Sequence, residues 1–372
     1  VKICLIHPFI LAYDTLSPRV LETGIPGAEE TLINFAEELC RQGASTSIFT
    51  HTGCEDFISR GVTWRDINSM VQTDFFDVVV SWADIIDKMD AYLDNIPFSN
   101  LRIFRLVNQQ SEDSLRKMLW YFPVAMSQTK WLSKRYSCLN ESNTLFVSNG
   151  VDSHVLRSLK SDKIKNRFIY ASDYDRGLVH LLRLWPYIKD KLPDATLRVC
   201  YGWHVFEKKM ENMADEVKKN MLQFKETIEK LLLQDGIEHL GRIGNDCVSR
   251  ELAAAEYWSY PCTFPENCST LSLKAVALAC LPVIIPSGGL NETVKSGART
   301  NIGLWSTVDA PNQMLVERSV NEWSHMLMRT IEHGYEPHRE MLEKVAEEYL
   351  IKYSYAYSTN TFLRDCFKRL YV

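Results

Sequence analysis

Residues 2–6 read KICLI, and residues 24–50 read GIPGAEETLINFAEELCRQGASTSIFT. The first run is short and apolar, as a strand buried on both faces requires. Pro8, Pro18, Gly24, Pro26 and Gly27 mark the loop between the two. From residue 28 to 41 the apolar positions Leu32, Phe35, Ala36 and Leu39 recur at helical spacing. Gly43 stops that helix, and residues 45–50 are β-prone. A strand, loop, helix and second strand in this order predict a parallel sheet with crossover helices.

The same alternation runs outward through the chain. Strands are expected at 75–82, 101–107, 124–127 and 145–147, with helices near 114–121 and 129–136. The Asn149-Gly150-Val151-Asp152 turn then closes a first domain near residue 155. A second α/β series begins at 167–171. A helix is expected over 178–187, a strand over 195–200 and a long charged helical stretch, broken once, over 206–234. A strand at 237–240, a helix at 250–255 and a strand at 258–263 follow. A helix at 272–279 and a strand at 282–285 complete the series, and helices dominate from 311 onward. The expected domains are 1–155, 156–348 and a helical segment 349–372 that crosses back to the first. The fold class is α/β: two facing Rossmann-like domains, with the interdomain cleft as the default site.

The 372 residues are 46% hydrophobic and 24% charged, which excludes dominant disorder and fibrous or disulfide-dense scaffolds. The net charge is −5. Residues 1–152 carry 13 Lys/Arg against 19 Asp/Glu, a net −6, and the remainder carries +1. That balance does not point to nucleic acid. The ten cysteines form no CxxC pair and several lie in apolar runs, so buried reduced thiols are expected. The longest apolar stretch, 275–285, is far short of the ~20 residues that span a bilayer. No basic-then-apolar segment opens the chain. The expectation is a soluble cytoplasmic protein without a transmembrane segment.

Four loops carry chemistry. Residues 24–29 place glycines before a helix start, either as a tight turn or as a close approach to an anion. They do not match the dinucleotide fingerprint G-x-G-x-x-G. Asp173 to Gly177 links a strand to a helix. There Arg176 suits bidentate contact with phosphate, or is a surface cation, and Gly177 lets backbone come near. In Pro265-Glu266-Asn267-Cys268-Ser269-Thr270 an exposed Glu266 is expected to meet sugar hydroxyls. Ser269 and Thr270 either bind phosphate or cap the helix. Ser287 to Glu292 supplies a glycine pair, Gly288 and Gly289, and Glu292, which faces either ligand or solvent. No HExxH motif or metal cluster is present. His7 and His204 stand near strand ends, where lone histidines are usually structural.

Taken together, these residues resemble the retaining GT-B glycosyltransferases of glycosyltransferase family 4, over nearly the whole chain. Pro26-Gly27-Ala28-Glu29 resembles the family's N-terminal glycine loop, and Asn149 to Asp152 its turn before the domain linker. Residues 171–178, ASDYDRGL, resemble the first loop of its second domain. Pro265-Glu266 through Ala275, followed by Pro282-Val283-Ile284, resembles its Glu-x7-Glu segment, with Gly288, Gly289 and Glu292 in the loop beyond.

The resemblance implies a GT-B fold and a UDP- or GDP-sugar donor bound mainly by the second domain. It also implies a glycan, lipid-linked or small-molecule hydroxyl acceptor held mainly by the first. Retention of anomeric configuration, often without a divalent metal, and a possible peripheral membrane contact go with it. It casts Arg176 as the cation that neutralises the leaving diphosphate and Glu266 as the acid that contacts the donor sugar. Gly27, Ser172, Gly177, Ser269, Thr270, Lys274, Gly289 and Glu292 fall at its other binding positions. Three positions depart from the common pattern: Ser172 replaces an arginine, Asn108 a histidine, and Lys274 the second glutamate. These departures admit a weak or inactive nucleotide-sugar-binding protein as the alternative, and a nucleotide-sugar 2-epimerase as a more distant one. In relatives that second glutamate accepts from ribose hydroxyls; a lysine only donates, or sits on the helix surface with no ligand role.

Overall fold

The computed structural model describes residues 1–8, 14–83, 89–107, 110–159, 162–211, 213–305 and 311–371. Asn108 lies outside the described residues. The chain divides into two compact units. Unit 1 is Val1–Val20, Pro26–Asp152 and Lys352–Val372, and unit 2 is Leu21–Ile25 and Ser153–Ile351.

Unit 1 holds an eight-stranded sheet of β1 (Lys2–His7), β2 (Ser45–Thr50), β3 (Phe57–Ser59), β4 (Val62–Asp66), β5 (Phe75–Ser81), β6 (Phe98–Leu106), β7 (Val124–Ser127) and β8 (Thr144–Phe146). Its order is β3-β4-β2-β1-β5-β6-β7-β8. The pairs are parallel except β3 with β4. Ile3, Cys4, Leu5 and Ile6 are fully inaccessible, as are Val78, Val79 and Val80 beside them. This is why both segments read as continuous apolar runs. The helix Gly27–Arg41 covers one face with Leu32, Phe35, Ala36 and Leu39.

The last helix, Tyr355–Tyr371, packs on Gly27–Arg41 through an edge-to-face Phe35–Phe362 contact with centroids 5.4 Å apart. Gln42 donates to Thr359 Oγ1 over 2.6 Å. Gly150 of the Asn-Gly-Val-Asp turn is demanded by the same helix: a Cβ there would stand 2.4 Å from the Tyr355 ring.

Unit 2 holds six parallel strands: β9 (Ile164–Ala171), β10 (Thr196–Cys200), β11 (Ile237–Gly241), β12 (Ala255–Tyr260), β13 (Leu281–Ile284) and β14 (Ala298–Arg299). Their order is β11-β10-β9-β12-β13-β14. In each sheet the chain winds first one way and then the other. The reversal falls between β1 and β5 in unit 1 and between β9 and β12 in unit 2, as in doubly wound folds.

Several elements differ from the sequence expectation. The β3–β4 hairpin is additional, built from a five-residue strand and a three-residue edge. The 129–136 helix contracts to Lys130–Ser133, because tight turns at Arg135, Tyr136 and Leu139 replace helical bonding. The 258–263 strand lies instead at Ala255–Tyr260, and Pro261, which has no amide hydrogen, follows its end. The 206–234 stretch, by contrast, follows the expectation of one break and forms His204–Glu211 and Asp215–Leu232.

Candidate functional site

The reversal point of unit 2 brings two sequence-distant loops together. Strand β9 runs into Ser172 and the loop to Arg176, while neighbouring β12 ends at Tyr260 before the loop to Glu266. Arg176 Nη1 donates to Glu266 Oε1 over 2.6 Å, and Tyr260 Oη donates to the same oxygen over 2.6 Å. Tyr260 Oη also meets Ser172 Oγ at 3.0 Å. The guanidinium of Arg176 stacks 4.3 Å from the centroid of Phe264, an attractive cation–π geometry.

Contrary to the exposed carboxylate expected from sequence, Glu266 is only 6% exposed. A carboxylate can be held there because two donors converge on one oxygen. The Arg176 side chain remains 27% exposed, so the cation pairs with Glu266 and still presents an edge outward. Burial disfavours the charged guanidinium, but the Glu266 carboxylate outweighs it and raises the Arg176 pKa above its ordinary value. Burial raises the Tyr260 pKa well above the phenol range, which keeps its proton available for donation.

Backbone ties hold this arrangement. Tyr170 Oη donates to the Asp173 carbonyl over 2.8 Å, and Lys209 Nζ donates to Asp173 Oδ2 over 2.6 Å. Gly177 has φ +107°, and a Cβ there would lie 2.0 Å from the Pro261 carbonyl oxygen. The glycine is therefore required for packing the β9 loop against the β12 loop. The Gly289 amide donates to the Glu266 carbonyl over 2.6 Å, and Ser287 Oγ donates to the Phe264 carbonyl over 2.5 Å.

Of the other expected site residues, Ser269 caps the helix Thr270–Ala277, accepting from the Ser272 amide over 3.3 Å. Capping, the second reading of that hydroxyl, is thus realised. Thr270 is the first residue of the helix and is buried. Lys274 lies in the same helix and is 7% exposed, so it is not the surface lysine that helix position alone allowed. Glu292 is half-buried in the short helix Leu290–Thr293. Gly27 belongs to unit 1, where it begins the helix Gly27–Arg41. Within unit 2 the structure therefore groups Ser172, Arg176, Gly177, Glu266 and Gly289.

Sequence reasoning missed Tyr260 and Phe264. The available signal was a hydroxyl at the end of a central strand immediately before Pro261, six residues ahead of Glu266.

The reversal point of unit 1 has a different content. His7 ends β1, with Nε2 4.0 Å from Glu29 Oε1, and both residues are buried. Trp82 follows β5 and donates from its indole to the Ala28 carbonyl over 3.1 Å. The buried Arg105 stacks 4.5 Å from the Trp82 ring and donates to Asn149 Oδ1 over 2.6 Å. Among the described residues, no group of three or more His, Cys, Asp or Glu could hold a metal ion. No helix among them is long and apolar enough to cross a membrane.

No protein-family model matches the chain, and no curated protein matches it by sequence. Solved structures are similar in fold and remote in sequence. Sucrose-phosphate synthase from Thermosynechococcus elongatus is 12% identical with a TM-score of 0.65, covering 99% of this chain and 99% of that one. The Anabaena protein HepE, solved in complex with UDP-glucose, is 12% identical with a TM-score of 0.63 and the same coverage of both chains. The trehalose-6-phosphate synthase OtsA is 9% identical with a TM-score of 0.71, again covering 99% of each chain. With its two doubly wound sheets, the chain has the GT-B fold, built from two Rossmann-like α/β units.

Proposed function

We propose that the chain is a retaining glycosyltransferase of family 4 type that moves a sugar from a nucleotide-diphosphate sugar to a hydroxyl acceptor. The observation that carries this reading is the Arg176–Glu266 pair, with Tyr260, at the strand-order reversal of unit 2. Crevices at such reversals are where doubly wound sheets bind ligands.

Arg176 faces the leaving diphosphate and stabilises charge as the bond to the anomeric carbon breaks. Glu266 Oε1 is committed to Arg176 and Tyr260, so Oε2 is the oxygen left to accept from a donor-sugar hydroxyl. The helix Leu178–Lys191, which follows Gly177, has no acidic residue in its first turn and leaves its amides suited to a phosphate. In this reading residues 156–348 bind the donor, residues 1–155 bind the acceptor, and the segment 349–372 returns to the first domain.

Retention of configuration, a UDP or GDP leaving group and dispensability of a divalent metal rest on the motif resemblance, and a cytoplasmic site of action rests on the scattered cysteines and short apolar runs of the sequence. The ligand of the Anabaena structure makes UDP-glucose the first donor to try. The acceptor is a glycan, a lipid-linked sugar or a small molecule. One observation favours a weaker, binding-only protein: Lys274, at the position where relatives carry a ribose-binding glutamate, is buried and offers no acceptor.

A screen of UDP- and GDP-sugars for binding, donor hydrolysis and transfer separates the readings. Turnover with at least one donor is expected, together with altered donor preference in Glu266→Gln. Tight binding without turnover on any acceptor would favour the binding-only protein. A folded sample showing no binding, hydrolysis or transfer would overturn both.

A further inference from the structure

The helix Gln313–His333 packs against β13 and β14 at one edge of the unit 2 sheet. Its buried stripe is Ser319, Trp323, Leu327 and Ile331, and the Trp323 indole donates to the Val283 carbonyl of β13 over 3.0 Å. Anchorage to the sheet rests on that stripe. A second stripe, His325, Arg329 and His333, repeats at every fourth residue and is exposed.

A cleft of about 490 Å³ lies between this second stripe, Arg299 of β14 and His338 of the turn Glu336–His338. That volume is in the range of small-molecule pockets, ~300–1,000 Å³. None of the residues grouped around Arg176 and Glu266 lines it. Its charged and titratable lining, over every contributing element, is Arg299, Glu322, His325, Arg329, His333 and His338. Two arginines against one carboxylate leave a net +1, and protonation of the three histidines raises it to +4.

The carboxylate is already engaged with backbone. Glu322 Oε1 accepts from the Asn301 amide over 2.8 Å, and Oε2 from the Ile302 amide over 3.2 Å. Among the described residues neither arginine pairs with an acid. Arg299 donates to neutral acceptors, the Val294 carbonyl over 2.6 Å and Asn291 Oδ1 over 3.2 Å. The histidines are oriented. His325 Nδ1 donates to the Asn321 carbonyl and His333 Nδ1 to the Arg329 carbonyl, each over 2.8 Å. A carbonyl only accepts, so Nδ1 carries the hydrogen and Nε2 is the ring atom left for a ligand. Eight residues of helix separate the two rings by about 12 Å along the axis, too far to share a metal ion. Guanidinium forks and imidazolium donors in one concave site complement a phosphate group, with its double charge and three acceptor oxygens.

We propose that this cleft is a second ligand site of unit 2, which takes a phosphate-bearing molecule through Arg299, Arg329 and the protonated Nε2 atoms of His325 and His333. It stands independently of the nucleotide-sugar reading.

Calorimetric titration of inorganic pyrophosphate into Arg176→Ala tests it, since that background removes the cation beside Glu266. Binding is expected. Adding Arg329→Ala should weaken it about tenfold, and Arg329→Lys in its place should recover part of the loss. Sulfate keeps its charge between about pH 6 and about pH 8, so its affinity reads the protons of the protein. Tighter sulfate binding at the lower pH is expected, with a smaller rise in a His325→Gln, His333→Gln double variant. Equal pyrophosphate affinity with and without Arg329, or no binding by folded Arg176→Ala protein, would overturn the site. Sulfate affinity that does not rise at the lower pH would overturn the histidine contacts. Vesicles of phosphatidic acid, with phosphatidylcholine as control, separate the two sources of such a group. Acidic-vesicle binding that Arg329→Ala abolishes would place the phosphate on a lipid; pyrophosphate binding without vesicle binding would place it on a soluble molecule.

Discussion

At the reversal point of unit 1 the strands β1 and β5 lead into His7 and Trp82; in unit 2, β9 and β12 lead into Ser172 and Tyr260. The helix that follows the first strand differs in charge. Gly27–Arg41 carries Glu29 and Glu30 in its first turn, both buried, with His7 beside Glu29. Leu178–Lys191 has no acid in its first turn and is preceded by Arg176 and Gly177. A helix N-terminus favours negative charge. Unit 1 has filled that place with its own carboxylates, whereas unit 2 has left it open beside a cation. Two sheets of one plan thus differ in charge at the reversal point, and it is unit 2 that suits the diphosphate of the proposed function. The cation of unit 1, Arg105, is buried against Trp82 and Asn149 and serves the fold.

The sharpest way to break this contrast is Arg176→Ala. Loss of a cation placed where negative charge develops should raise the barrier by ~2–4 kcal/mol, a thirtyfold to thousandfold loss in kcat, with the fold retained by circular dichroism. Equal steady-state constants for variant and parent would remove Arg176 from the chemistry. Next in size is Gly177→Ala. It puts a Cβ 2.0 Å from the Pro261 carbonyl oxygen at a left-handed φ. Strain and overpacking together should cost about 3 kcal/mol in denaturant unfolding. A neutral outcome would mean that the β9 and β12 loops are not locked together at this point.

Arg105→Met turns to the other side of the comparison. It removes the Asn149 bond and the stacked charge from unit 1, and should lower stability by about 2 kcal/mol. Calorimetric affinity for the nucleoside diphosphate should stay at the parent value; a marked loss would assign the anion to unit 1 as well. Tyr260→Phe is smaller still. It releases one of the two donors on Glu266 Oε1 and should weaken nucleotide-sugar binding by about 1.5 kcal/mol, close to tenfold, while sparing the free diphosphate. Equal losses for both ligands would detach Glu266 from the sugar.

The smallest effect is expected from Lys274→Glu, which restores the acceptor that the resemblance places at this position. Ribonucleoside diphosphate binding should tighten by about 1 kcal/mol, and the penalty for the 2′-deoxy nucleotide should grow. No change in either would mean that the side chain does not meet the ribose.

Much of this protein is written locally. Apolar runs such as Lys2–His7, crossover-helix periodicity and glycine-marked loops are short-range patterns, and they specify parallel sheets without any knowledge of contacts. Arg176, Gly177, Glu266 and Gly289 are legible as loop residues at strand ends for the same reason. The β3–β4 hairpin was not legible, because three- and five-residue strands offer too short a period to separate from turn.

Tertiary structure alone decided how those residues act on one another. Ninety positions separate Arg176 from Glu266, and they meet only because β9 and β12 are neighbours across the reversal of strand order. The burial of Glu266 follows from that meeting, since a carboxylate leaves water only where donors replace it. Tyr260 became part of the site because its hydroxyl reaches both Ser172 and Glu266. Gly177 proved to serve close packing, as its sequence context could not distinguish backbone from ligand as the neighbour. Local pattern records which groups lie near strand ends; the order of the strands in the sheet determines which of them share a proton or a charge.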